Sequence, residues 1–217
     1  MNKHRTKLPI AMRLCPIVLS ILFVAAPLLA AEHDITPPPV PADLRVDPGF
    51  QPFLKGHGVG TQNYICRPSG SGFAFVLFTP EATLFADNGK QLTTHFFSPN
   101  PFEANTDSTV VADRQIRVTW QDSRDTSTVW AKVKQPSTDP HFVAQGAIAW
   151  LLLEVVGATD GPSGVGELAA TKFVQRLNTS GGLAPSQGCS SLADVGKQAF
   201  IPYTADYFFY KKDPSKK

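Results

Sequence analysis

Four histidines follow the first 31 residues, and imidazole is both a common ligand for zinc or copper and a common general base. His57 and His95 fall in separate β-like segments and form the best candidate pair, but no ligand spacing supports a metal. His95 shares a strand face with Thr93 and Phe97, which favours a partly buried, hydrogen-bonded histidine. We keep His95 as a candidate site residue and predict no metal or other cofactor.

Glu154 is the single charge inside the apolar segment 150–156. A buried carboxyl at this position could act as a general acid, but glycoside hydrolysis needs a second carboxylate facing it. Glu81, Asp87 and Glu167 are available only by default. A position on an edge strand that exposes Glu154 to water is the simpler interpretation.

Trp130 belongs to a segment whose side chains alternate. Val129 and Ala131 point inward, whereas Trp130 points outward together with Thr128 and Lys132. A flat exposed ring between polar side chains matches the apolar face of a sugar, although such a ring can also simply pack at a sheet edge. Trp130 is therefore a candidate contact for a polysaccharide.

A glycine pattern at 164–169 fits the dinucleotide-binding fingerprint G-x-G-x-x-A. Its context differs from that fingerprint, because residues 157–163 separate the first glycine from the preceding apolar segment and no second parallel strand follows. The pattern indicates a turn between two strands, and the chain is not predicted to be an NAD-dependent dehydrogenase.

The N-terminus has the layout of a secretory signal, which we place at residues 1–31. Four basic residues precede the apolar stretch 14–26, which is too short to span a bilayer. Removal of these 31 residues takes away four of the 20 basic and none of the 18 acidic residues, so the formal charge changes from +2 to 16 − 18 = −2. We expect a secreted or periplasmic protein with no transmembrane segment after signal removal and no nucleic-acid partner, the alternative being an uncleaved anchor.

Two cysteines remain after the signal, Cys66 and Cys189. An even pair in an oxidising compartment predicts a disulfide. Two buried thiols are the alternative.

The remaining chain divides into three parts. Six prolines make residues 32–55 an extended lead-in that should form neither a helix nor a central strand. Residues 56–210 are the β domain, in which Asn88-Gly89 gives the strongest hairpin signal, between 82–86 and 91–97. Residues 211–217 are a basic, solvated tail.

Two segments, 147–156 and 167–177, are compatible with either a strand or a short helix, and we interpret both as strands because their neighbours are β-like. Residues 73–78 are apolar at every position, which predicts a strand covered on both faces. Together the segments predict one all-β domain, a sandwich or barrel of about ten strands with room for one short helix.

Several stretches, read in order, resemble an uncharacterised family of secreted bacterial and fungal proteins, a domain of unknown function. They are Gly58–Cys66, Ala82–Asp87, Thr94-His95, Ala147–Leu153, Val174–Gly182 with Cys189, and Tyr203–Tyr207. The resemblance implies a single domain with Cys66 and Cys189 paired, and no established activity. Some fungal relatives carry a malate dehydrogenase label. The chain departs from the family pattern at residues 98–101 and 107–109.

The leading functional hypothesis is a secreted or periplasmic, non-catalytic β domain that binds a polysaccharide or another component of the envelope or matrix. A secreted hydrolase or metal-dependent enzyme is the alternative. The hypothesis rests on the scatter of the candidate residues, since nucleophilic, zinc and glycosidase sites each need several groups in fixed relative positions.

Overall fold

The computed structural model describes residues 35–108 and 111–216. In these ranges eight antiparallel strands each pair with the next, and the last pairs with the first, so the sheet closes into a barrel. The strands are β1 (Phe50–Ser69), β2 (Gly72–Phe85), β3 (Gln91–Ala104), β4 (Arg114–Asp122), β5 (Thr128–Ser137), β6 (Trp150–Thr159), β7 (Phe173–Gly181) and β8 (Gln198–Lys212).

The predicted all-β class is confirmed, with eight long strands where about ten shorter ones were expected. The count differs because 73–78 and 82–86, predicted separately, are parts of the continuous strand β2. Both ambiguous segments contain strands, β6 and β7. Helical structure in the described residues is limited to two 3-10 turns, Ala42–Leu44 and Leu192–Asp194.

The hairpin at Asn88-Gly89 is confirmed as the β2–β3 turn. Gly89 has φ +78°, a backbone conformation that glycine adopts without steric cost. Side chains alternate along β8, and Tyr203, Tyr207 and Phe209 share the face that is buried in the barrel interior. Local sequence signals are therefore sufficient for this hairpin and for the inward face of β8.

Two predicted boundaries and one predicted burial pattern are wrong. Strand β1 begins at Phe50, inside the segment that its prolines should have kept out of a sheet. Pro52 is accommodated because the register against β8 shifts next to it, where the missing N–H does not break a regular ladder. Strand β8 extends to Lys212, into the predicted tail. Val76 and Phe78 are exposed, so 73–78 is not covered on both faces.

The loop between β6 and β7 contributes Leu168 to the core inside the barrel, where this side chain is fully buried. The glycine pattern lies in this loop and serves packing. A methyl group on Gly166 would overlap Ser127, and one on Gly161 would overlap the backbone oxygen of Asp125. The prediction of a glycine-rich turn between two strands is confirmed, and the strands are antiparallel.

A second core lies outside the barrel, where the proline-rich lead-in packs across β6, β7 and β8. Leu44 is fully buried there together with Trp150 and Phe208. The side-chain amide of Gln175 donates to the Leu44 carbonyl oxygen at 2.6 Å. Residues 35–49 are therefore an integral part of the domain.

Cys66 and Cys189 form the predicted disulfide, with their Cα atoms 5.5 Å apart. The bond fastens the β7–β8 loop to β1, and the Tyr64 hydroxyl donates to the Gly182 carbonyl at 2.6 Å, at the start of the same loop. The predicted signal, residues 1–31, lies outside the described residues. In the part of the chain that is described, no helix is both long and apolar enough to cross a membrane.

Candidate ligand-binding site

The barrel interior contains a cavity of about 180 Å³. All eight strands contribute side chains to its wall. The wall combines apolar side chains, among them Leu151 and Leu153, with polar ones, among them Gln62, Arg176 and Tyr207. Its composition therefore suits a molecule that is apolar in one part and polar in another.

The cavity reaches solvent through an apolar mouth. Leu77 and Val133 line the cavity and are 39% and 47% exposed. Within the described ranges β2 pairs with β3 only at its C-terminal end, Ala82 to Phe85. Beyond Ala82 the regular ladder stops, although the Phe97 N–H still donates to the Thr79 hydroxyl at 3.0 Å, and Pro80 and Phe97 line the cavity there. The interior is therefore accessible where Leu77 and Val133 are exposed.

His95 lies in the cavity wall and is 3% exposed, so it is more completely buried than the partly buried histidine that was predicted. Its ring stacks on Trp120 with centroids 4.5 Å apart, and its Nδ1 is 3.0 Å from the Thr119 carbonyl oxygen. Because a carbonyl only accepts hydrogen bonds, the proton resides on Nδ1. Burial lowers the pKa of His95 to about 3, against the opposing effect of the Thr119 hydrogen bond. The imidazole is therefore neutral at physiological pH.

The polar part of the wall is rich in hydrogen-bond donors. Arg176 Nη2 donates to the Ala149 carbonyl oxygen at 2.8 Å, but Arg176 Nε has no partner among the described residues. Two further buried donors, Gln62 Nε2 and Trp120 Nε1, also lack a partner of normal hydrogen-bond geometry there, although the Gln62 side chain lies near the Tyr203 hydroxyl and opposes the rise that burial causes in the pKa of Tyr203. Among the residues that the structure describes, no aspartate or glutamate lines the cavity.

Two tyrosine hydroxyls complete this polar region. Tyr207 and Tyr203 hydroxyl oxygens are 3.0 Å apart, and the Arg176 side chain lies within hydrogen-bonding reach of Tyr207. Burial raises the pKa of Tyr207, although the positive charge of Arg176 opposes the rise. Burial raises the pKa of Tyr203 as well, so both hydroxyls keep their protons and the net charge of the region is that of Arg176.

The two histidines considered as a metal pair lie on opposite faces of the barrel wall. His57 is on the outer face, where its ring nitrogens are 2.6 Å from Asp206 Oδ1 and 2.5 Å from Asp87 Oδ1. His95 faces the interior. Across the residues that the structure describes, no three His, Cys, Asp or Glu side chains gather as ligands of one metal ion.

Trp130 points outward from the barrel, as its alternation predicts, but it is only 8% exposed, so the predicted exposed ring is wrong. The last part of β3 crosses the outside of the sheet and covers the ring, with Phe102 in edge contact at 6.1 Å between centroids. Trp130 Nε1 donates to Ser98 Oγ at 2.8 Å. The indole is therefore a packing residue and offers no free face to a sugar.

Glu154 also lies on the outside of the barrel, with its side chain 42% exposed. Its ion-pair partner is Lys132, at 3.7 Å. The predicted exposure is confirmed, but the predicted edge position is wrong, because β6 has a neighbour on each side. Of the carboxylates considered with it, Glu167 pairs with Arg124 and Asp87 with His57.

Sequence reasoning missed Arg176, which is the one charged group that the described part of the chain contributes to the cavity wall. Its signal was its position two residues after Val174, since both side chains share the inner face of β7. The alternative interpretation of 167–177 as a helix assumes a different periodicity, and it does not place Arg176 and Val174 on one face. Gln62, Trp120 and Tyr207 became site residues only through closure of the barrel.

A search of curated proteins and a search of solved structures each found no match to the chain. A comparison with family models matched residues 48–211, which span all eight strands except Lys212, the last residue of β8, and include both disulfide cysteines. The chain therefore belongs to the family described as "Protein of unknown function (DUF3455)".

Proposed function

We propose that the domain is a non-catalytic binding protein that holds a small, partly apolar molecule inside its barrel. The observation that carries this proposal is the interior cavity of about 180 Å³ with its apolar mouth. Protein interiors are close-packed, so an accessible cavity that costs packing energy is a candidate binding site.

The size of the cavity limits the ligand. An apolar protein cavity of about 150 Å³ accommodates a benzene molecule. The barrel therefore has room for a single ring, or for a chain of similar volume, with one small polar group. Leu151 and Leu153 would contact the apolar body of such a ligand.

The proposal extends to an exported location, secreted or periplasmic. The disulfide supports it, since such bonds persist in oxidising compartments. The layout of residues 1–31 as a secretory signal also supports it. N-terminal mass analysis of the exported protein should give Ala31 or Glu32 as the first residue, and a chain that begins at Met1 would contradict the proposed cleavage.

Binding of a polysaccharide or another envelope component by the outer surface stays a prediction. The burial of Trp130 removes the aromatic contact on which that prediction was based. Retention of the protein on isolated envelope polysaccharide is the direct measurement.

Benzyl alcohol is a suitable first probe of the cavity, because it combines one ring with one small polar group. We expect saturation-transfer NMR to show binding to the wild-type protein. We also expect a higher melting temperature that depends on probe concentration, since a ligand that binds only the folded state at 100 times its Kd adds about 2.7 kcal/mol to the free energy of unfolding.

The variant Val118→Phe should abolish binding, because residue 118 lines the cavity and the larger side chain fills it. Val59→Phe is the matched control, since Val59 is 54% exposed on β1 and lies outside the cavity wall. Absence of binding to the wild type, or equal binding to wild type and folded Val118→Phe, would contradict the proposal.

A further inference from the structure

Arg176 brings a positive charge into the cavity wall without a counter-ion. No ion pair joins it to any carboxylate of the described residues, and no acidic residue lines the cavity. A partly buried charge is costly unless it is paired and hydrogen-bonded. The Ala149 carbonyl satisfies one hydrogen of Nη2 but supplies no negative charge.

Gln62 and Trp120 contribute further buried hydrogen-bond donors next to the unpaired charge of Arg176. Gln62 Nε2, Trp120 Nε1 and Arg176 Nε are all donors, all buried, and all without a hydrogen-bond partner among residues 35–108 and 111–216. The three residues come from β1, β4 and β7 and line one cavity. Most buried polar groups in proteins have a partner, so three unmatched donors around one space are an unusual concentration.

We propose that the cavity binds the carboxylate of a small organic acid, with Arg176 as the counter-ion and Gln62 and Trp120 as additional hydrogen-bond donors. This inference rests on the proposed function and specifies its ligand class. A carboxylate supplies both the missing negative charge and several acceptor positions. The guanidinium group is a planar fork of donors that suits the two oxygens of a carboxylate.

The rest of the wall explains why the acid should carry an apolar body. Ile148, Leu151 and Leu153 line the cavity beside the donors, and Leu77 and Val133 form its mouth. An acid that enters with its carboxylate first would place a ring or short chain against these side chains. A bare inorganic anion would leave the apolar part of the cavity without a contact.

Benzoate, benzamide and acetate test the two parts of the inference by isothermal titration calorimetry at pH 7. Benzamide has the shape of benzoate without its charge, and acetate has the carboxylate without the ring. We expect wild-type protein to bind benzoate about tenfold or more tightly than benzamide, because hydrogen bonds between charged groups are the stronger ones. Acetate should bind more weakly than benzoate, because it cannot fill the apolar part.

Arg176→Met should remove the preference for benzoate over benzamide while ring binding persists. Arg45→Met is the matched control, because it removes the same charge from an exposed position in the lead-in and should keep the wild-type preference. Arg176→Lys keeps the charge without the fork and should show an intermediate preference, which also covers the case in which Arg176→Met does not fold.

The indole N–H resonance of Trp120 gives an independent measurement on the wild type. It should shift when benzoate binds, whereas the N–H resonance of Trp150, which lies in the outer core, should not. Equal affinities for benzoate and benzamide, or a preference that persists in Arg176→Met, would overturn the inference while leaving the proposed function intact. Failure of benzoate, benzamide and benzyl alcohol alike to bind would overturn both.

Discussion

The domain should become progressively less stable as the pH falls below 6.5, because His95 takes up a proton in the unfolded chain more readily than in the folded protein. An unfolded chain offers this histidine its ordinary pKa of about 6.5, whereas burial lowers the pKa in the folded protein to about 3. Between these values the unfolded state binds more protons than the folded state. The free energy of unfolding must therefore rise with pH in this range, and the full stability is present above pH 6.5.

The size of the effect follows from the two pKa values. Each pH unit between them corresponds to about 1.4 kcal/mol. Over the interval from pH 7.5 to pH 4.5, His95 alone should lower the free energy of unfolding by about 2.7 kcal/mol. This is a large fraction of the stability of a typical domain, about 5–15 kcal/mol.

The assay is urea denaturation, followed by circular dichroism, at half-unit steps from pH 4.5 to pH 7.5. The buffers should contain no small carboxylic acids, because these are candidate ligands. His95→Asn keeps a side-chain N–H that can donate to the Thr119 carbonyl but has no ionisable group. It should be less stable than wild type at pH 7.5, because the stack on Trp120 is lost, and its stability should depend less steeply on pH.

His141→Asn is the control, since it removes an imidazole from an exposed position in the β5–β6 loop and should keep the wild-type pH dependence. If the wild type and His95→Asn lose the same free energy between pH 7.5 and pH 4.5, His95 is not a neutral buried group and the reasoning fails. Proton NMR of the His95 ring provides a second check, because its resonances should not titrate above pH 4 in the folded protein.

Two further predictions concern the disulfide and the covered tryptophan. Cys66→Ser removes a cross-link between residues separated by 123 positions, for which the loss of chain entropy gives about 5 kcal/mol of stabilisation. The melting midpoint of this variant should therefore fall by several degrees or more. Two free thiols in the unreduced, denatured wild type would show instead that no bond exists. Trp130→Ala should cost about 3–5 kcal/mol in urea denaturation because the ring is buried beneath the end of β3, whereas Glu154→Gln should change stability by no more than about 0.5 kcal/mol; loss of polysaccharide retention in a Trp130→Ala protein of unchanged stability would contradict the packing role.

Short-range patterns were sufficient for the class of the fold and for several of its elements. Asn88-Gly89 predicts the β2–β3 hairpin because its turn requires a positive φ that few residues adopt. Alternation predicts the inner face of β8 because side chains on a strand point to opposite sides in turn. Two of the three cysteines follow the predicted signal, so a disulfide within that part of the chain can only join Cys66 to Cys189.

The sequence did not decide whether the sheet closes into a barrel. Whether eight strands form a sandwich or a barrel depends on the pairing of β1 with β8, in which Phe50 lies opposite Lys212. No local pattern encodes a partner so distant along the chain. Tertiary structure also decides burial. Alternation predicts that Trp130 points outward, but the end of β3 covers its ring, and β3 is not paired with the strand that carries Trp130.

The candidate site is the clearest case of this division. Sequence singled out His95, Glu154 and Trp130 by their individual chemistry, and the barrel places only His95 in the cavity wall. Arg176 was not predicted as a site residue, because a lone arginine in a strand is ordinarily solvated. It becomes a binding group only when eight strands enclose it with unmatched donors and no carboxylate, and that enclosure is a property of the tertiary structure alone.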